Sequence, residues 1–245
     1  MSTSTNQVAR GAGTQRKRSK RGSYIFIGIM AILVIIAGVL WIKSAPSKEK
    51  EGSKDGFSIV SGKHTVEIVV RDYGTITLEL DADAAPITVS NFLDLANEKF
   101  YDGLTFHRIL PGFVIQGGDP AGTGSGKPDQ RTIDGEFEAN GIDNPIKHER
   151  GVISMARKSD RTASRPQDSV VAKNSATSQF FICLADQPSL DGNYAAFGRV
   201  TEGMDIVDQI AEECAGDGDN GFVSKERQPV IESIREILPG AGLNE

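Results

Sequence analysis

Residues 106–119 read FHRILPGFVIQGGD. Two short strand-like pieces, Leu104–Ile109 and Phe113–Gln116, lie within and just before this stretch. Together they set one permanent cation, Arg108, among large apolar groups, with an amide, Gln116, shortly after. Alternation along a strand puts Phe113 and Ile115 on one face and Val114 and Gln116 on the other, unless a bulge intervenes. A second apolar run, SQFFI at 178–182, has a similar character. These residue types admit two readings: core strands in which Arg108 meets a carboxylate, or a surface that pairs a cation with an apolar patch.

Outward from this segment, the same alternation recurs. Residues 64–70 (HTVEIVV) and 75–80 (TITLEL) alternate apolar and polar, the mark of strands with one buried face. The intervening Asp72-Tyr73-Gly74 predicts a hairpin turn. The period then becomes helical: Pro86 suits a first turn, and Val89, Phe92, Leu93 and Ala96 fall on one face. Further strand-like pieces are Gly151–Ala156, Gln179–Leu184, Ala195–Val200 and Val230–Ile237. A second helix is predicted over Met204–Ala211, with Met204, Val207 and Ile210 inward. Many short strands and two isolated helices lack the βαβ rhythm of a parallel sheet. They predict a mainly β fold, a closed antiparallel barrel capped by two α-helices.

The N-terminal part is different in kind. The 245-residue chain has a net charge of −6. Residues 1–42 hold six of the 27 Lys and Arg and none of the 33 Asp and Glu, so the rest carries 21 basic against 33 acidic residues, a net of −12. Residues 24–42, YIFIGIMAILVIIAGVLWI, contain no charge and are long enough to cross a bilayer as a helix. Tyr24 and Trp41 stand where interfacial aromatic rings belong, and the cations at 16–21 place the preceding tail in the cytoplasm. The expected organisation is a disordered basic tail (1–23), a transmembrane helix (24–42), a flexible linker (43–60) and one folded domain (61–240) outside the cytoplasm. Retention as a single-pass anchor is favoured over a cleaved secretory signal, because the apolar run exceeds a usual signal core and a poor cleavage sequence follows.

Several functions are excluded. An acidic body does not suit nucleic acid. Gly122–Lys127 (GTGSGK) fails as a phosphate loop, because Ala121 and Pro128 occupy positions that need Gly and Ser or Thr. His64, His107 and His148 are not at metal-ligand spacing, so neither metal nor cofactor is expected. No nucleophile elbow supports a hydrolase. Cys183 reads as a small core residue, and a bridge to Cys214 is left open.

The segment at 106–126 (FHRILPGFVIQGGDPAGTGSG), ISMA at 153–156, SQFFI at 178–182 and LDGNYAAFGRV at 190–200 resemble, in order and separation, the cyclophilin family of peptidyl-prolyl cis–trans isomerases. The likeness covers about residues 63–238. It implies a closed eight-stranded antiparallel β-barrel with a helix at each end and the site on its outer surface. It implies a catalytic role for Arg108, and substrate binding by Phe113, Val114 (a Met in the family), Gln116, Gln179, Phe181 and Leu190. Ala156 and Arg157 fall where the backbone grips the peptide, and Gly122 falls in a loop flanking the pocket. Tyr194 stands where the family often has His. Ser189 replaces a common Trp, which implies weak cyclosporin binding at best. The segment 158–177 is longer than in typical members. The expected activity is therefore X–Pro isomerisation by a monomeric, membrane-tethered domain that helps exported proteins fold, as in a single-membrane bacterium. The alternative is a non-catalytic chaperone or scaffold that binds proline-containing segments.

Overall fold

The computed structural model describes residues 57–127, 129–158 and 169–238. The proposed tail, apolar segment and most of the linker lie outside them. Among the described residues no helix is long and apolar enough to cross a membrane.

Eight antiparallel strands form one curled sheet: β1 (Lys63–Val70), β2 (Gly74–Asp81), β3 (Phe106–Leu110), β4 (Val114–Gly117), β5 (Val152–Met155), β6 (Phe180–Cys183), β7 (Ala196–Glu202) and β8 (Ile231–Ile237). Their order across the sheet is β3-β4-β6-β5-β7-β2-β1-β8. Each overlaps a segment that the sequence marks as strand-like, and β1 and β2 show the expected alternation of buried and part-exposed residues. In the β1–β2 hairpin Val66 faces Leu78 and Ile68 faces Ile76. All four are fully buried, as a sheet with one apolar face requires.

The expected closed barrel is met as a curled sheet whose two end strands share no ladder. What joins them is one bridge, Thr105 to Val230, with Phe106 N–H donating to Pro229 O at 3.0 Å and Ile231 N–H to Leu104 O at 2.8 Å.

Helix α1 (Pro86–Asn97) starts at Pro86 and buries Val89, Phe92, Leu93 and Ala96, the predicted face. Phe92 meets Phe180 edge-on at 5.5 Å and Phe197 at 5.2 Å, so α1 seals the core against β6 and β7. The residue before the helix supplies no cap. Instead the buried Glu136 carboxylate accepts from the amides of Ile87 (2.9 Å) and Thr88 (2.7 Å), satisfying orphan donors from a distant loop. A second element, α2 (Val170–Lys173), is a single turn inside the long segment that sequence periodicity did not indicate, capped by Ser169. Helix α3 (Met204–Glu213) packs on β2 and buries Val207 and Ile210, with Met204 partly buried.

Two apolar clusters result. The large one fills the concave side of the sheet, and Phe57, Ile59 and Val60 from before β1 pack into or against it. Phe57 also lies under the Arg131 guanidinium at 4.4 Å. The small one, on the opposite face, gathers Val114, Phe181 and Cys183 with Phe113, Ala156, Leu190 and Tyr194. Cys183 and Cys214 stand unbridged, and burial pushes the Cys183 thiol up to about 12.

His107, on β3, is fully buried with no hydrogen-bond partner on either ring nitrogen among the described residues, and it stacks on Phe222. Burial holds its imidazole below the usual range, opposed by the Asp119 carboxylate. The unfolded chain therefore takes up this proton first, at a pKa of about 6.5. Stability present above that value is lost as the pH falls below it. Thermal unfolding from about pH 7.5 to about pH 5 is expected to show a falling midpoint, with a shallower fall in His107→Gln. Equal slopes in the two proteins would remove His107 from this account.

Candidate active site

The site follows from strand register. Across four neighbouring strands Arg108 pairs with Gln116, Gln116 with Phe181, and Phe181 with Ser154. The adjacent row is Ile109, Ile115, Ile182 and Ile153, every member fully buried. Successive residues of a strand point to opposite faces, so the isoleucine row faces the large core and the Arg108 row faces away from it. The expected alternation holds for Val114 and Gln116. It fails at Phe113, which precedes β4 in the Pro111-Gly112 turn and joins Val114 in the small cluster. That turn closes by Phe113 N–H to Leu110 O at 3.0 Å, with Gly112 at φ 73°, a left-handed conformation suited to glycine.

On this outer face Arg108, Phe113, Val114, Gln116, Ala156, Arg157, Phe181, Leu190 and Tyr194 line one hollow of about 120 Å³. A drug-sized ligand fills roughly 300–1,000 Å³, so this hollow suits one compact side chain. Its floor is Val114 and Phe181, 2% and 5% exposed. Arg108 stands at the rim, half-buried. Its Nε donates to Asn220 O at 2.7 Å, its Nη1 to Gln116 Oε1 at 3.4 Å, and its Cζ lies 5.6 Å from the Phe113 ring centre. No carboxylate pairs with it among the described residues, which removes the salt-bridged core reading. Burial, opposed by the Tyr194 phenol, draws the guanidinium below its usual range. It remains a cation at neutral pH, as arginine does in proteins.

The remaining sequence-derived residues sort into three groups. Gln179 is joined to the hollow without lining it: Gln116 Nε2 donates to Gln179 Oε1 at 3.0 Å, and Gln179 Nε2 to Gly124 O at 3.4 Å. Ala156 lines the hollow, but its amide already donates to Gln179 O at 2.9 Å. Arg157 donates from Nε to Asn193 O at 2.9 Å and lies 4.7 Å from the Tyr194 ring centre, which fixes that ring as a wall. Gly122 does not line the hollow. It sits against Gln228, whose Nε2 donates to its carbonyl at 2.9 Å. The loop it belongs to is held by Asp119, which accepts from the amides of Ala121, Thr123 and Gly124.

Sequence reading missed what lies beneath the hollow. His148 Nε2 is 3.1 Å from Ser154 Oγ, and its Nδ1 is 3.1 Å from Asp191 Oδ1. The imidazole stacks on Phe181 at 6.0 Å, and Tyr194 meets Phe181 edge-on at 5.8 Å. The order Asp–His–Ser is that of a hydrolase triad, yet Ser154 is 0% exposed and no substrate carbonyl can reach it. Its use here is mechanical, since it anchors the ring that anchors Phe181. Burial pushes His148 below the usual imidazole range, opposed by Asp191. The Asn220 carbonyl that orients Arg108 was also missed, because only the fold brings residues 112 positions apart together.

A family profile described as Cyclophilin type peptidyl-prolyl cis-trans isomerase/CLD matches residues 65–235. The chain is 39% identical over 173 residues to a peptidyl-prolyl cis-trans isomerase of Helicobacter pylori (strain J99), covering 70% of this chain and 90% of that protein. It is 44% identical over 158 residues to peptidyl-prolyl cis-trans isomerase B of Bacillus subtilis (strain 168), covering 64% and 92%. A cyclophilin crystal structure from Cryptosporidium parvum superposes with a TM-score of 0.59 at 30% identity, covering 73% of this chain and 99% of that one. The same Cryptosporidium cyclophilin was also solved in the presence of the dipeptide Ala-Pro, with a TM-score of 0.58. With a matched profile and relatives covered almost end to end, this chain belongs to the cyclophilin family.

Proposed function

We propose that the hollow beside Arg108 is where this chain, a peptidyl-prolyl cis–trans isomerase, twists X–Pro bonds. The observation that carries the assignment of the site is a guanidinium that no carboxylate pairs with among the described residues, at the rim of a one-residue apolar hollow. Rotation about the X–Pro bond is slow because amide resonance sets a barrier of about 18–20 kcal/mol. At the twisted transition state the prolyl nitrogen recovers its lone pair and accepts a hydrogen bond. A donor from Arg108 directed there stabilises the transition state more than either planar ground state, which is what accelerates a reaction. Phe113, Val114, Phe181 and Leu190 enclose the proline ring. Gln116 holds a neighbouring peptide carbonyl, so one side of the bond turns against a fixed other side. No covalent bond breaks, and about 1.4 kcal/mol of differential binding gives each tenfold in rate.

The solved Cryptosporidium cyclophilin with Ala-Pro supports proline-containing polypeptides as the substrate class. The hollow's volume and Ser189 support weak cyclosporin binding. The hydrogen bonds between residues 104–106 and 229–231 support a sheet that acts as a closed barrel. The uncharged stretch 24–42 and the cations before it support an anchor with the domain outside the cytoplasm, where it assists exported chains as they fold.

In a protease-coupled peptide assay on the full chain, Arg108→Ala is expected to lower kcat/KM by an order of magnitude or more, with the thermal midpoint close to that of the parent. Equal turnover in the two proteins would favour a binding module that needs only the apolar hollow. Leu190→Ala opens one wall and is expected to raise KM several-fold with a smaller effect on kcat; an unchanged KM would move the proline ring elsewhere. Sequencing the mature N-terminus from a membrane fraction is expected to find residues 24–42 retained. A start beyond Ile42 would mean release after cleavage.

A further inference from the structure

Asn-Gly occurs twice in the chain, at Asn140-Gly141 and at Asn220-Gly221. An asparagine before glycine is open to attack on its own side-chain carbonyl by the next backbone nitrogen, because glycine has no Cβ to crowd the approach. The structure separates the two pairs. Asn140 is half-buried, and its Nδ2 donates to Gly135 O and to Asn174 Oδ1, each at 2.8 Å. Asn220 is exposed, and its side chain makes no hydrogen bond among the described residues. Its turn is fastened to the edge of β3: Ile109 N–H donates to Gly221 O at 2.7 Å, and Gly216 N–H to Ile109 O at 2.9 Å. Position 221 needs glycine, since its φ is 68° and a Cβ would lie 2.9 Å from Ile109 O. The fold therefore keeps glycine after an unrestrained asparagine. The main-chain carbonyl of that asparagine is the one to which Arg108 Nε donates at 2.7 Å.

We propose that Asn220 is a deamidation site, and that its isoaspartyl product lowers turnover by ion-pairing Arg108. The Gly221 nitrogen attacks Asn220 Cγ, the Cγ–Nδ2 bond breaks, and ammonia leaves with the Gly221 amide proton. Water then opens the cyclic imide, its hydroxyl going to one ring carbonyl and its proton to the ring nitrogen. Opening at the former Cγ gives aspartate and leaves the main chain as it was. Opening at the former main-chain carbonyl gives isoaspartate, in which the chain runs through Cγ. The oxygen that accepts from Arg108 Nε then belongs to a free carboxylate. A neutral acceptor has become a charged one, and charge-assisted hydrogen bonds are roughly twice as strong as neutral ones. The guanidinium is held by that carboxylate, with less of its charge left for a prolyl nitrogen. The conversion stands apart from the isomerase reading above, whereas its effect on turnover rests on it.

The test ages the full chain in mildly alkaline buffer and maps its peptides by a separation that resolves isoaspartate from aspartate. Conversion is expected several-fold faster at Asn220 than at Asn140. Equal rates at the two pairs, or no conversion at Asn220, would overturn the site. The isoaspartyl fraction is expected to lie about tenfold below the aspartyl fraction in kcat/KM, the scale of losing Arg108. In Arg108→Ala the two fractions are expected to turn over alike, which general damage to the loop would not produce. Matched turnover of the parent's two fractions, or a gap that persists in Arg108→Ala, would overturn the ion pair. Asn220→Ala has no side-chain amide to cyclise and is expected to hold its starting kcat/KM through the same ageing; decay at the parent's rate would count against Asn220. If fresh parent turns over no peptide, the isomerase reading fails separately. The NMR resonance of Arg108 Nε–H then decides the contact, expected to shift in the isoaspartyl fraction and not in the aspartyl one. An identical resonance in both fractions would overturn it.

Discussion

The register between β3 and β4 is the constraint on which the rest depends. A strand has a side-chain period of two, so one ladder position decides which face every residue of the strand serves. Pairing Arg108 with Gln116 commits Ile109 and Ile115 to the core and lifts the guanidinium to the other side. A slip of one residue would bury the cation among the isoleucines and place Ile109 on the surface, at the cost of an unpaired buried charge. The large core therefore enforces the site's geometry without touching it, since the isoleucine row can be buried in only one register. The glycines after Gln116 belong to the same constraint. Gly118 has φ 80°, and a Cβ there would lie 2.6 Å from Ser178 O, so the chain leaves β4 tight against the strand that carries Phe181.

The site is a surface held from below. Phe181 is fixed by a stacked imidazole whose two nitrogens are each engaged, one by the buried Ser154 and one by the partly exposed Asp191, and Tyr194 closes its edge. Buried polar chains of this kind rigidify when every member is satisfied. Arg108, in contrast, is held by two neutral acceptors. Nε is committed to the Asn220 carbonyl at 2.7 Å, whereas the Nη1 contact with Gln116 is long, at 3.4 Å. An ion pair would hold the guanidinium more firmly but leave less of its charge for a substrate. Orientation by carbonyl and amide oxygens keeps the cation aimed while leaving donor capacity towards the hollow, a balance that the proposed differential stabilisation needs.

Much of this was legible in the sequence. Strands β1 and β2 and both long helices follow from periodicity, because each buries one clean face: Val66, Ile68 and Val70 on β1, and Val89, Phe92, Leu93 and Ala96 on α1; β5 and β6, buried at every residue, were legible only as short apolar runs. Of the site residues, nine of those expected from motif resemblance line one hollow. What stayed hidden has physical causes. Alternation alone groups Phe113 with Ile115, because a period of two does not hold in the turn before β4; the motif resemblance places Phe113 in the hollow, where it lies. Helix α2 is four residues long, too short for a period of 3.6 to register. The Glu136 cap on α1 and the Asn220 carbonyl on Arg108 join positions 48–49 and 112 residues apart, where no local pattern can announce them. Gly122 was placed by its loop, and the loop does flank a hollow, but through Gly124, Ser125 and Gly126 instead.

The most direct test of the account is a crystal structure of the chain with a short proline-containing peptide bound. The account predicts the proline ring seated between Phe113, Phe181 and Leu190, with an Arg108 nitrogen facing the prolyl nitrogen across hydrogen-bonding distance. A peptide bound away from this hollow, or an Arg108 side chain swung out with the ring in place, would contradict it.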